Sequence, residues 1–84
     1  MGKQILIRID LPAAGKMFEV FIPSDILFSL IVNPLADMLS NLSEGLYLPS
    51  EPVVLINQSN GATININATA EEQNLMYGSR LLLI

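Results

Sequence analysis

The chain has 84 residues, of which 51% are apolar, and it contains neither cysteine nor histidine. These absences exclude disulfides, thiolate nucleophiles, imidazole bases and ordinary zinc sites, and we expect no metal site and no cofactor. Four basic residues against eight acidic ones give a net charge of −4, which disfavours binding to a phosphate backbone, so we expect no nucleic-acid partner.

The first quarter of the chain alternates in polarity and predicts a β-hairpin. Residues 4–11 have the pattern of a half-buried strand. Residues 12–16 contain proline and glycine and are typical of a turn, and residues 17–22 alternate again until Pro23 ends the run. The apolar residues that share one face of this hairpin are Ile5, Ile7, Ile9, Phe18, Val20 and Ile22.

Apolar residues then recur at three- and four-residue spacing over residues 27–42, which predicts one amphipathic helix. Ser24 and Asp25 precede this stretch and are expected to cap it. Pro34 leaves two alternatives, because a proline inside a helix removes a hydrogen bond. Either the helix kinks there, or its regular part begins there with Asn33 as the N-cap.

The second half of the chain predicts short strands joined by loops. Gly45 is expected to end the helix. The predicted strands cover residues 53–58, 62–67 and 81–84. Between the last two of them, the loop over residues 69–77 is expected to place Leu75 or Met76 in the core. The order strand, strand, helix, strand, strand, strand predicts an α+β fold, with residues 1–84 forming one domain.

The acidic residues give little basis for catalysis. Only Glu71 and Glu72 are adjacent, and they lie in a polar stretch typical of a solvated loop, so we expect no enzymatic activity. No apolar run is long enough to span a membrane, and the longest, residues 26–32, is interrupted by Ser29. Because the sequence also opens without the apolar region of a signal peptide, we expect a cytoplasmic protein without direct membrane insertion.

Two segments carry a resemblance to a known fold. Gly15-Lys16, the alternating apolar residues after it and Pro23-Ser24-Asp25 resemble the second strand of ubiquitin and its run into the helix. Asn74-Leu75, followed by residues 79–83, is similar to the final loop and strand of ubiquitin. The resemblance covers essentially the whole chain and implies a ubiquitin-like β-grasp, a mixed sheet of four to five strands packed on one helix.

Within that superfamily the chain most resembles the YukD/EsaB-like proteins, which are small ubiquitin-like components associated with bacterial type VII secretion. The similarity lies in a leucine-rich helix containing proline, the Val-Leu-Ile-Asn strand at 54–57 and Gly-Ser-Arg-Leu-Leu-Leu at 78–83, where relatives tend to have aspartate in place of Ser79. The resemblance implies a non-catalytic adaptor that binds protein partners, among them the membrane secretion machinery. Because the predicted final strand includes Ile84, without a flexible Gly-Gly tail, conjugation and sulfur transfer are not expected.

The face of the sheet turned away from the helix, called the open face below, is the predicted protein-binding surface. Its apolar residues are expected to form one contiguous patch, and a large patch of this kind usually marks an interface. On the third strand either Val53 and Leu55 or Val54 and Ile56 belong to it, and Leu55 is favoured because the polar Asn57 shares its side. The predicted site residues are Leu6, Arg8, Phe21, Leu55, Arg80, Leu82 and Ile84, with Met17 and Glu19 on the same face.

Four alternatives to an adaptor surface remain open. The exposed apolar residues could be scattered singly, as on ordinary surfaces. The open face could instead pack against a second copy in a homodimer. The domain could also be an accessory β-grasp subunit of a multicomponent enzyme, or a modifier whose C-terminal Gly-Gly is missing from this sequence.

Overall fold

The computed structural model describes residues 3–49 and 52–84. In chain order the elements are β1 (Gln4–Leu11), β2 (Lys16–Pro23), α1 (Phe28–Leu42), β3 (Leu55–Asn57) and β4 (Arg80–Leu83). The four strands form one sheet in the order β2-β1-β4-β3. Strands β1 and β4 are parallel, whereas the other two pairs are antiparallel. The predicted mixed sheet with a single helix is therefore confirmed, with four strands.

The hairpin of β1 and β2 forms as predicted, with full pairing from Gln4 opposite Pro23 to Leu11 opposite Lys16. The turn between them closes through the Ala14 N–H, which donates to the Leu11 carbonyl. Gly15 completes the turn at a φ of 62°, a left-handed conformation that glycine adopts without steric cost.

The start of α1 differs from the expectation that Ser24 and Asp25 would cap it. The helix begins at Phe28, and its N-cap residue, Leu27, makes no side-chain cap hydrogen bond. The Phe28 N–H instead donates to the Ala68 carbonyl at 3.1 Å, and the Ser29 N–H donates to the Ile66 carbonyl at 2.8 Å. Backbone carbonyls from a distant loop thus satisfy donors that a side-chain cap would otherwise serve.

Pro34 lies inside α1, so the alternative in which the regular helix begins at Pro34 is wrong. The predicted stop near Gly45 is confirmed. The Gly45 N–H donates to the Ser40 carbonyl and the Glu44 N–H to the Asn41 carbonyl, which is the Schellman pattern. Glu44 takes the left-handed conformation, with a φ of 57°, ahead of Gly45 at 79°.

The predicted strand over residues 62–67 does not form, and this part of the chain makes only an isolated bridge between Thr63 and Ile56. Asparagine side chains bind the backbone locally here instead, since the Asn65 side-chain oxygen accepts from the Asn67 N–H. In the following loop Leu75 is buried while Met76 is 72% exposed, so Leu75 is the residue that enters the core.

The hydrophobic core lies between α1 and one face of the sheet. The strand residues Ile7, Ile9 and Leu81 have no exposed surface. The buried helix residues include Phe28, Ile31, Leu35 and Leu39. Tyr47, 2% exposed, is also part of this cluster. With one face of the sheet covered, the opposite face is left to carry the candidate site.

The Tyr47 hydroxyl is buried and has no hydrogen-bond partner among the described residues. Burial disfavours the charged phenolate and raises the pKa of Tyr47 above its ordinary value. The hydroxyl is therefore a buried polar group that no described residue compensates.

Candidate protein-binding site

The sheet register brings most of the predicted site residues together on the open face. Leu6 lies opposite Phe21, and Arg8 lies opposite both Glu19 and Arg80. Leu82 lies between Asp10 on β1 and Ile56 on β3. Ile84 lies just beyond β4, where it exchanges two backbone hydrogen bonds with Val54.

The placement of Leu55 on the open face is wrong. Leu55 pairs with Leu83, both are buried under α1, and Leu55 is only 3% exposed. The half-buried Ile56 takes its place beside Leu82 on the open face. The polar Asn57 lies on the same side of the strand as Leu55. It can do so because it is the last residue of the strand, where its side-chain oxygen accepts hydrogen bonds from the Ser59 N–H and hydroxyl.

Arg8 and Arg80 form an unusual like-charged pair at the centre of the open face. They are direct neighbours on parallel strands, whose backbones lie about 4.8 Å apart. No carboxylate in residues 3–49 or 52–84 lies within ion-pair distance of either guanidinium, and Nε of Arg8 is buried without a hydrogen-bond partner there. Like charges placed opposite each other on a sheet are destabilising. Among the described residues, therefore, neither guanidinium of this pair forms an ion pair with an acid.

The two acidic residues of the open face, Asp10 and Glu19, do not form ion pairs with these arginines. Asp10 is engaged by the amide of Gln58, whose Nε2 donates to Oδ2 of Asp10 at 2.7 Å and to the Leu81 carbonyl at 2.9 Å. Glu19 lies across from Arg8 on the outer side of the sheet without forming an ion pair. The guanidiniums of Arg8 and Arg80 thus have no ion-pair partner in the part of the chain that the structure describes.

Apolar side chains surround the arginine pair. Leu6, Leu82 and Ile56 are half-buried, while Phe21 is 58% exposed at the end of the face. The Phe21 ring contacts Tyr77 edge-on, with ring centroids 6.3 Å apart. An apolar area with a few charged groups is an arrangement common in protein interfaces.

The sequence interpretation missed two residues of this face, Gln58 and Tyr77, and it had left Ile56 as the alternative to Leu55. Tyr77 precedes Gly78, whose N–H donates to the Leu6 carbonyl and so attaches the loop to the end of β1. The signal that could have revealed Tyr77 was an exposed aromatic residue next to a glycine at the start of the final strand. Gln58 gave no comparable signal, because its role depends on the pairing of β3 with β4.

The two adjacent carboxylates have structural roles, and both are exposed as the loop interpretation predicted. Glu71 forms an ion pair with Lys3, Nζ to Oε1 at 3.4 Å. Glu72 accepts from the Thr69 N–H, and the Thr69 hydroxyl accepts from the Glu72 N–H, which is a capping box. Within the described chain no acidic cluster is suited to hold a metal ion, and no helix is long and apolar enough to cross a membrane.

Comparison with known structures places the chain in a fold class. The ubiquitin-like domain of the Mycobacterium tuberculosis type VII secretion system protein ECCD1 is 11% identical, with a TM-score of 0.81 and 98% of each chain covered. The EccD5 ubiquitin-like domain from Mycobacterium xenopi is 20% identical, with a TM-score of 0.79, over 98% of this chain and 93% of that one. The chain has the ubiquitin-like β-grasp fold.

A third similar structure is a chain of the MycP5-free ESX-5 inner membrane complex, 21% identical with a TM-score of 0.77. The match covers 96% of this chain but only 20% of that one. No protein-family model matches the sequence, and no curated protein matches it significantly. At these identities the structural likeness establishes the fold, while the function must be argued from the site.

Proposed function

We propose that this protein is a non-catalytic ubiquitin-like adaptor or accessory subunit of a bacterial type VII secretion system, of the YukD/EsaB-like kind. It acts in the cytoplasm, as one domain over residues 1–84, by binding a protein partner rather than by conjugation. Support for the setting comes from the ubiquitin-like domains of ECCD1 and EccD5, which share its fold. The ESX-5 inner membrane complex supports a partner within membrane secretion machinery.

The observation that carries the proposal is the Arg8–Arg80 pair among half-buried aliphatic residues. The pair lacks an acidic counterpart in the described chain, and the adjacent Leu6 and Leu82 remain partly exposed. A partner that places a carboxylate over the two guanidiniums would form charge-assisted hydrogen bonds and relieve their repulsion. Its apolar side chains would cover Leu6, Leu82 and Ile56, and the arginine pair would fix the orientation.

The test is direct binding of the purified protein to purified subunits of a type VII inner-membrane complex, measured by calorimetry. Leu82→Glu should weaken binding about tenfold or more, because it buries a carboxylate in an apolar contact. Leu30→Glu is the matched control, since Leu30 is 68% exposed on α1, away from the open face.

The arginines are tested separately, because Leu82→Glu alone changes both shape and charge. Arg8→Gln with Arg80→Gln removes both charges and leaves a shorter polar side chain at each position. This double variant should bind the partner more weakly, while its free energy of unfolding should be no lower than that of the natural sequence. Retained binding in both the Leu82 and the arginine variants would contradict the proposal. A dimer that dissociates on Leu82→Glu would instead assign the open face to a second copy.

A further inference from the structure

The outer edge of β2 is a second candidate binding surface, because in the described chain its backbone N–H and carbonyl groups face away from the sheet. Among the described residues, β2 pairs only with β1 and has no strand on its other side. The Ser24 N–H donates to the Lys3 carbonyl, which fixes the alternation of hydrogen bonds along this antiparallel pair. By that alternation the backbone groups of Met17, Glu19 and Phe21 point outward, away from β1.

Two further bonds confirm the alternation from the other side of β1. The Arg8 N–H donates to the Ser79 carbonyl, and the Gly78 N–H donates to the Leu6 carbonyl. The even-numbered residues of β1 therefore direct their backbone groups to β4, and the odd-numbered ones bond β2. Three N–H groups and three carbonyls of β2 are left along its outer edge, an arrangement that accepts an added strand.

An apolar groove of about 270 Å³ runs between this edge and the helix. Ile22 and Pro23 line it on the strand side. Ile31, Pro34 and Met38 are among the residues that line it on the helix side. No charged side chain lines the groove, so side chains of an added strand that point toward α1 would enter an apolar channel.

The charge of Glu19 decides which occupant fits this edge. If a second copy paired through β2 in the fullest symmetric antiparallel register, Met17 would lie opposite Phe21 and the two Glu19 carboxylates would face each other. Like charges directly opposite are destabilising. Shifting the register loses bonds, because Pro23 has no N–H and the turn begins before Lys16.

We infer that the outer edge of β2 accepts an extended segment of a protein partner as an additional antiparallel strand. A lysine or arginine of that segment lies opposite Glu19, and its alternate residues are aliphatic and enter the groove against α1. Main-chain hydrogen bonds to Met17, Glu19 and Phe21 hold the segment, and the groove selects its side chains. The two surfaces share Met17, Glu19 and Phe21, which offer their backbone to the added strand and their side chains to the open face. Leu82 and the arginine pair belong to the open face alone, so variants at these positions test the two proposals separately.

The probe is a capped seven-residue peptide in which valines occupy the odd positions and threonine, lysine and threonine occupy the even ones. Its valines are N-methylated, so only the edge bearing the lysine N–H can pair with a strand and the peptide cannot stack on itself. The matched control carries the methyl groups on the threonines and the lysine instead. The two peptides have the same side chains. They differ in which backbone edge can donate and by one N-methyl group.

Binding is followed by amide chemical shifts of the full-length protein. We expect the probe to shift the amides of Met17, Glu19 and Phe21 and those lining the groove on α1, and the control peptide to leave them unchanged. Replacing the peptide lysine by glutamate should weaken binding about fivefold, as an opposite-charge pair on a sheet predicts. Glu19→Lys should reverse this preference.

Protein variants separate the groove from the open face. Met38→Glu places a charge in the groove and should abolish the shifts, whereas Leu46→Glu, at an exposed leucine beyond the helix, should not. Leu82→Glu should leave peptide binding unchanged. Equal binding of the two methylated peptides, or no β2 shifts at the solubility limit of the probe, would overturn the inference. Concentration-dependent β2 shifts without peptide, together with a dimeric mass, would overturn it in favour of a second copy.

Discussion

The two faces of the sheet carry similar aliphatic residues but differ sharply in burial. Ile9 and Leu81 are completely buried under α1, whereas Leu82, adjacent to Leu81 on the same strand, is half-buried on the open face. Alternation places successive side chains on opposite sides, so residues of the same type meet different environments. One face supplies the core, and the other carries apolar groups and two arginines that are not buried in it.

The largest expected difference between the faces is in their contribution to stability. Ile9→Ala should lower the free energy of unfolding by about 2–5 kcal/mol, because it leaves a cavity in a completely buried site. Leu82→Ala should cost roughly 1 kcal/mol or less, since its side chain is already partly in water. Urea unfolding of both variants measures this. Equal losses would mean that the open face is as much a part of the folded core as the covered one.

The next effect concerns association and should be confined to the open face. Leu82→Glu should weaken partner binding about tenfold or more while the far-ultraviolet circular dichroism spectrum stays unchanged. A charge introduced on the covered face, as in Leu81→Glu, should instead unfold the protein, because a buried carboxylate without a partner is very costly. If Leu82→Glu also unfolds the protein, the open face is required for folding and is not available to a partner.

A smaller effect is expected at the buried hydroxyl of Tyr47, which has no hydrogen-bond partner among the described residues. Tyr47→Phe should be neutral or should stabilise the fold by up to about 1 kcal/mol, because it removes a buried polar group without a partner. The raised pKa of Tyr47 in the folded state means that the unfolded chain releases this proton first. Stability should therefore fall as pH rises above the unfolded tyrosine value of about 10.

Thermal unfolding between neutral and alkaline pH checks this sign. The natural sequence should lose more stability than Tyr47→Phe over that range, and Tyr77→Phe is the matched control because Tyr77 is 66% exposed. If Tyr47→Phe and the natural sequence lose stability in parallel, the hydroxyl has a partner in solution that relieves its burial.

The smallest effect should appear at the arginine pair of the open face. Arg80→Gln removes one of two neighbouring like charges and should raise the free energy of unfolding by a few tenths of a kcal/mol, up to about 1. The gain should shrink as salt is added, because ions screen the repulsion. Arg80→Gln should at the same time weaken partner binding. A loss of stability would indicate that Arg80 is already paired within the protein, and the proposed acidic contact would then be unnecessary.

Much of the fold followed from alternation and turn chemistry. The bounds of β1, the hairpin turn and the stop near Gly45 were all predicted from local pattern. The insertion of a residue from the last loop was predicted too, although Leu75 and Met76 were left as alternatives and Leu75 is the buried one. The errors lie where a distant or competing partner decides. The helix start depends on carbonyls of the 66–68 loop, which no nearby residue reveals. The strand predicted at 62–67 gave way to asparagine side chains that bind their own backbone.

The candidate site was predictable only as far as parity could be read. Six of the seven predicted residues lie on the open face or at its end, because β1, β2 and β4 have clear alternation. The placement of Leu55 was wrong because β3 has only three residues, too few to show an alternating pattern. Its polar residue, Asn57, misled the interpretation because its side chain binds the next turn rather than marking the solvent side. The neighbouring positions of Arg8 and Arg80 required the parallel register, which is a property of the fold rather than of any local segment.

The bonds from Phe28 and Ser29 to the carbonyls of Ala68 and Ile66 make the beginning of α1 a long-range structure. During synthesis the hairpin and the body of the helix can emerge and pair early, but these two amides stay without their final acceptors until about forty more residues have left the ribosome. Their exchange with solvent deuterium should therefore report docking of the distant loop rather than helix formation. The helix of this protein is completed from outside itself, and its first turn should open whenever that loop detaches.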